Sequence, residues 1–358
     1  MTTGGIVDWG LGRRVAGALA RGEDGASRAL GDDAIRRASE AGLDRVLGYT
    51  GLDPASEVPA VEAVTRSEWI ESNLAELEAL AAPLEQRAAA EISLPRPFEG
   101  IVRGGLGAAS GLEAGIVVGY ASRRVLGQYQ VSLTLEPKPP RMLLLRANLA
   151  NTARELDADP DRFLLWVAVH EQTHSVQFAA VPWLRDHVAG LVARLIEAAS
   201  GNVDLAALTG IAKRVVSSDP RRALREAMRG ELTRALAGPD QATVIDELQA
   251  TMAVIEGYAE HVMDAAAQDD PGMARMRARM DERRARRGGL ADVIARALGM
   301  GMKLRQYELG KSWSDAVAAE AGVEGLNRVW ADRAALPSPA ELEAPREWLE
   351  RVVAAPVA

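Results

Sequence analysis

Cysteine is absent from all 358 residues, and histidine occurs only four times. Without thiols the chain has no disulfides, no thiolate nucleophile and no cysteine-ligated iron–sulfur cluster, which points to a cytoplasmic protein. No run of eighteen uncharged apolar residues is present, so a membrane-spanning helix is not expected. The window from Gly104 to Tyr120 comes nearest, but it is rich in Gly and Ala and carries Glu113, as suits close helix packing in a core. The stretch Met1 to Trp9 lacks a basic region followed by an apolar one, and no secretory signal is expected. Lysine is confined to positions 138, 213, 303 and 311, which leaves 38 of the 42 basic residues as arginine.

The balance of charge is negative, at −8, which disfavours a polyanionic partner such as nucleic acid. One segment runs against it: Arg275, Arg277, Arg279, Arg283, Arg284, Arg286 and Arg287 crowd between Pro271 and Gly288. Asp281 and Glu282 interrupt that run, Met273, Met276 and Met280 form an apolar edge, and no aromatic side chain is interleaved for base stacking. A solvated amphipathic helix accounts for the pattern, and no nucleic-acid or membrane partner is expected.

What the chain does have is His170-Glu171-Gln172-Thr173-His174. Side chains at i and i+4 leave a helix on one face, so both imidazoles can reach one metal ion about 2.0–2.1 Å away. Glu171 sits beside them, where it can take a proton from the attacking water. This HExxH spacing is the signature of zinc metallopeptidases. Asp159-Pro160 reads as an N-cap and first helical residue, and apolar periodicity continues to Pro182.

A catalytic zinc site needs a third protein ligand. The extended HExxHxxGxxH pattern fails, because positions 177 and 180 are Gln and Ala. A later periodic segment offers Glu256 and Glu260, one turn apart beside the apolar stripe Leu248, Met252, Ile255, Ala259 and Val262. As in gluzincins, Glu256 is the expected third ligand, with Glu260 as the group that orients His170 by accepting its ring N–H. His187 and then His261 are the alternative third ligands. Such a site would cleave a peptide or a small amide with Zn²⁺ as cofactor; the competing reading is a zincin-fold binding or regulatory protein whose metal is structural or absent.

Helical periodicity covers most of the chain: about 10–21, 31–48, a long helix capped by Ser67 and ended by Pro95 and Pro97, 106–127, 183–199, 204–217, 219–236, 239–268, 289–309 and 311–321. Only Gln130 to Leu135 alternates like a strand, with Met142 to Arg146 resuming as an apolar run after Pro137 to Pro140. The expected fold is therefore mainly α, a zincin-like metallopeptidase core with a small β-hairpin or sheet before the HExxH helix. A free strand edge there could bind an extended substrate by backbone pairing. The linker candidates, such as Asp53 to Pro59, are too short to force separate domains. A single integrated unit over 1–358 is expected, with an N-terminal helical portion (1–100) packed on a metal-site core (101–358).

Ile6-Val7-Asp8-Trp9, Tyr49-Thr50-Gly51-Leu52, Ser122 to Tyr129, Trp166 to His174, Val181 to Arg185, Glu256 to Asp264, Lys303 to Tyr307 and Leu326 to Trp330 together resemble an actinobacterial family of zincin-like hydrolases. Its members carry the labels zinc-dependent metalloprotease or deazaflavin-coenzyme-biosynthesis-associated protein. The resemblance spans nearly the whole chain and implies a mainly helical zincin-like fold, but it supplies no substrate. Within the Arg305-Gln306-Tyr307 block, Tyr307 or Arg305 is a candidate donor to the oxyanion formed when water attacks a carbonyl, and Tyr307 is taken as a candidate catalytic residue. The competing reading packs Tyr307 in the core with its hydroxyl satisfied.

Overall fold

The computed structural model of the chain describes residues 7–21, 30–91, 96–134, 136–200, 241–267, 270–287 and 305–354. The expected helices over 204–217 and 219–236, and most of 289–309, lie outside them. The described part is mainly helical around a three-stranded sheet, as its apolar periodicities require.

Helix α1 (Trp9–Ala20) begins where Asp8 accepts the Leu11 N–H at 2.8 Å. It packs on α4 (Arg96–Ala121), which starts earlier and stops earlier than the expected 106–127. Helix α2 (Asp32–Thr50) follows, and then α3 (Arg66–Glu91). The cap of α3 is Thr65 and not Ser67. Thr65 Oγ1 accepts the Glu68 N–H at 3.2 Å while Glu68 accepts the Thr65 N–H at 2.7 Å, a reciprocal pair that satisfies two otherwise orphaned donors.

Strand β1 (Val61–Val64) pairs in parallel with β3 (Arg141–Leu145), and β2 (Gly127–Gln130) pairs with β3 antiparallel, in the order β1-β3-β2. Only β3 lies where a strand was anticipated, and β2 shares just Gln130 with the other expected strand. The second strand was expected at 130–135, yet it ends at Gln130 because side chains capture the backbone beyond. Glu76 accepts from the Leu133 N–H and Ser132 Oγ, and Arg185 donates to the carbonyls of Ser132 and Thr134. Met142 to Leu145 are all fully buried, which explains their continuous apolar run. Leu144 faces the larger core with α6, whereas Leu143 and Leu145 face a second core with Val64, Trp69, Leu74 and Val118. Burying each of these side chains stabilises the fold by about 1.5–3 kcal/mol.

From β3 the chain enters α5 (Arg146–Glu155) and then α6 (Pro160–Ala180), the helix that carries the HExxH sequence. Asp159 Oδ1 accepts the Arg162 N–H at 2.9 Å with Pro160 at the first turn, as the sequence signals. Helix α6 is buried almost all round and lies between α2 and α8 (Gln241–Ala266). Helix α7 (Leu184–Ser200) also packs on α8. In α9 (Pro271–Arg287), Met273, Met276 and Met280 are buried, while Arg277 and Arg283 pair with carboxylates, which is the amphipathic helix expected there. Helix α10 (Arg305–Asn327) has a break at Gly322, whose φ is 72°, and crosses α8 so closely that a Cβ on Gly257 would stand 2.1 Å from the carbonyl carbon of Gly310. Only glycine permits that approach. Among the described residues no helix is long and apolar enough to cross a membrane.

Candidate metal centre

Helix α6 presents His170 and His174 on one face, and their Nε2 atoms lie 3.2 Å apart. Helix α8, running alongside, brings Glu256 to the same point, with its Oε2 3.6 Å from His170 Nε2 and 3.8 Å from His174 Nε2. Among the described residues this is the group of His, Asp and Glu whose ligand atoms come close enough to hold one metal ion. The triangle suits zinc. Donors about 2.0–2.1 Å from a tetrahedral centre are separated by about 3.3–3.4 Å, and the three edges found here bracket that value. The donor set, two imidazoles and a carboxylate, is also one that catalytic zinc uses.

Glu171 is buried beside this triangle, and its Oε2 accepts the backbone N–H of Tyr129 at 3.0 Å. Burial pushes its carboxyl up to about 7. His174 opposes the rise, the Glu256 charge adds to it, and the Tyr129 N–H opposes it. The contact is made by β2, an outer strand of the sheet. Gly127 allows it: a Cβ there would stand 2.6 Å from Glu171 Cγ and 2.7 Å from Leu144 Cδ2. Tyr129 packs against Phe178 with ring centroids 5.5 Å apart and planes tilted by 34°, and burial pushes its phenol up to about 12.

The ring nitrogens turned away from the triangle have partners of their own. His174 Nδ1 lies 3.0 Å from Gln177 Oε1, and His170 Nδ1 lies 3.0 Å from Met263 Sδ. Glu260, expected to orient His170, forms an ion pair of 2.5 Å with Arg277. The reason is α9, whose buried methionine edge sets Arg277 down between Glu260 and Asp264.

The two alternative ligand histidines are engaged elsewhere. His187 Nε2 is 3.3 Å from Thr251 Oγ1, its ring stands edge-on to Trp183, and burial pulls its pKa down. His261 holds Asp315 at 2.7 Å through Nδ1 and the Tyr49 hydroxyl at 2.7 Å through Nε2. Asp315 in turn meets Lys311 at 2.5 Å, and Lys311 meets Asp264 at 2.9 Å, so one chain of polar groups joins α2, α8, α9 and α10. Tyr307 falls in the first turn of α10, and its side chain, like that of Arg305, lies outside the described residues.

Gln177 and Met263 were not picked out from sequence as partners of the ligand rings. Their spacing carried a signal: Gln177 stands one turn after His174, and Met263 two turns after Glu256, on the ligand-bearing faces.

Residues 7–349 match the zincin-like metallopeptidase family, and the chain belongs to it. Its structure is similar to the crystal structure of a candidate hydrolase with a novel fold from Chloroflexus aurantiacus, at a TM-score of 0.69 and 24% identity, covering 98% of this chain and 100% of that one. At that identity the likeness speaks for the fold. The chain matches no curated protein.

Proposed function

We propose that the protein is a zinc-dependent hydrolase of the gluzincin type that cleaves peptide or small amide bonds, in a single integrated catalytic unit working in the cytoplasm. The observation that carries this reading is the convergence of His170, His174 and Glu256 donor atoms within 3.2–3.8 Å of one another beside the buried Glu171. Zinc held by those three residues would supply Lewis acidity to a substrate carbonyl. Glu171 takes the proton from the attacking water and returns it to the leaving nitrogen. Its carboxylate is aimed by the Tyr129 N–H, and its position beside both histidines suits that transfer.

Strand β2 lies at the edge of the sheet next to Glu171, which supports an extended substrate lying along it. Tyr307 is the proposed oxyanion donor. The crossing at Gly257 and Gly310 supports it, since Gly257 adjoins Glu256 and Gly310 follows Tyr307 by less than one turn.

The test pairs metal content with turnover. Wild-type protein purified without chelators should hold about one zinc per chain and hydrolyse members of a peptide and amide library. Glu171→Gln should keep the zinc and lose turnover. Hydrolysis that survives in Glu171→Gln sinks the mechanism, and a chain that takes up no zinc sinks the metal centre.

A further inference from the structure

We infer that Gln177 is a positioning residue of the metal centre: its amide fixes the proton of His174 on Nδ1 and so turns the Nε2 lone pair toward His170 and Glu256. The inference rests on the reading of those three residues as a zinc site. Gln177 has no solvent exposure, and both ends of its amide are used. Nε2 donates to the backbone carbonyl of Ile255 at 3.1 Å, and Oε1 lies 3.0 Å from His174 Nδ1.

These two contacts settle a choice that ordinarily has to be assigned from context. A carbonyl oxygen only accepts, so the end of the amide facing Ile255 must be the NH₂. The end facing His174 is then the oxygen, which also only accepts. His174 Nδ1 must therefore carry the ring hydrogen, and the neutral ring keeps its lone pair on Nε2, the nitrogen 3.2 Å from His170 Nε2 and 3.8 Å from Glu256 Oε2. Ile255 directly precedes Glu256, so the same amide also ties the helix bearing the third ligand to the helix bearing the second.

A neutral amide differs from the carboxylate commonly found behind a ligating histidine. It orients the ring without adding negative charge to the site. Substitutions at position 177 separate this role from that of a simple tie between helices. Leu has the size but neither contact, whereas Glu keeps an acceptor for His174 and loses the amide N–H given to Ile255.

The experiment measures zinc affinity by chelator competition, together with the ¹⁵N–¹H ring spectrum of His174 in the metal-free chain. In wild type the ring should show the Nδ1–H form. Gln177→Leu should mix the two tautomers and weaken zinc binding by about 10- to 100-fold, while Gln177→Glu binds at least as tightly as wild type. Gln177→Leu binding within twofold of wild type overturns the inference, and so does an Nε2–H ring in wild type. A loss in Gln177→Glu equal to that in Gln177→Leu reduces Gln177 to a helix tie and also overturns it. If Gln177→Leu does not fold, Gln177→Glu and the wild-type ring spectrum still decide. A wild type that binds no zinc but shows the Nδ1–H ring removes the zinc reading and leaves the Gln177–His174 contact standing.

Discussion

The backbone N–H of Tyr129 donates to Glu171 Oε2 across 3.0 Å, so an outer strand of the sheet holds the side chain proposed as the base. Strand β2 can come that near only because residue 127 has no Cβ to place against Glu171 Cγ and Leu144 Cδ2. Gly127→Ala should push the strand away, lower kcat by about tenfold or more through misplacement of Glu171, and leave zinc content unchanged. Steady-state kinetics beside elemental analysis would check this. Unaltered kcat would show that the contact does not position the base.

Zinc should stabilise the fold, because the triangle joins two helices that are distant in sequence. With free zinc at about a thousand times Kd, linkage adds about 4 kcal/mol, and a chelator should lower Tm accordingly. His174→Ala should abolish that response. His261→Ala should keep it, since His261 is bound to Asp315 and Tyr49, but it should cost about 1–3 kcal/mol through the two lost hydrogen bonds. Thermal melts with and without zinc separate the two variants, and a lost zinc response in His261→Ala would put that residue in the site.

Asp315 predicts an acid dependence. Partial burial pushes its carboxyl up, but hydrogen bonds from His261 and Lys311 outweigh it and hold the carboxyl below the usual range. A carboxyl lowered in the folded state stabilises above its ordinary unfolded pKa, about 3.9, and that contribution is lost as pH falls through the folded value. Wild type should exceed Asp315→Asn in urea midpoint near pH 6, and the gap should shrink as pH falls below about 4. A gap constant with pH would exclude the charge as its source.

Gly310→Ala should be costly despite the helix propensity that alanine gains. A Cβ at 310 would stand 1.9 Å from the Ala253 carbonyl oxygen, where no flexible side chain can yield. Overpacking of this kind costs about 1–3 kcal/mol or more, against about 1 kcal/mol gained in propensity. Denaturant titration should show a net loss, with weaker zinc binding because Glu256 sits beside the displaced backbone. Equal stability would mean that α8 and α10 can part without cost.

Local chemistry made the central helix legible. Asp159, Pro160 and the apolar rows up to Pro182 gave α6 nearly to the residue, and HExxH gave its face. Glu256 was legible because chemistry demanded a third donor and the apolar neighbours of Glu256 argued against a solvated face. Glu260 was read from the same pattern, but spacing along α8 says nothing of Arg277, which arrives from α9. Gln177, Met263 and Tyr129 were missed as partners because Met263 and Tyr129 reach the site by packing across long sequence separations, and the contact of Gln177 with Ile255 does the same. The alternation from Gln130 to Leu135 misled for a related reason, since Glu76 and Arg185 take the backbone groups that a ladder would have used.

The two histidines come from one helix, whereas the third donor lies more than eighty residues further along the chain. A nascent helix could therefore offer a weak two-point foothold to a metal ion early, but full coordination must await closure of that long loop and the glycine-to-glycine seating of α10 on α8. Contacts of such sequence separation form slowly compared with a helix turn. Zinc uptake would then be a late event in folding, and tight zinc binding would mark chains whose two ends have found each other.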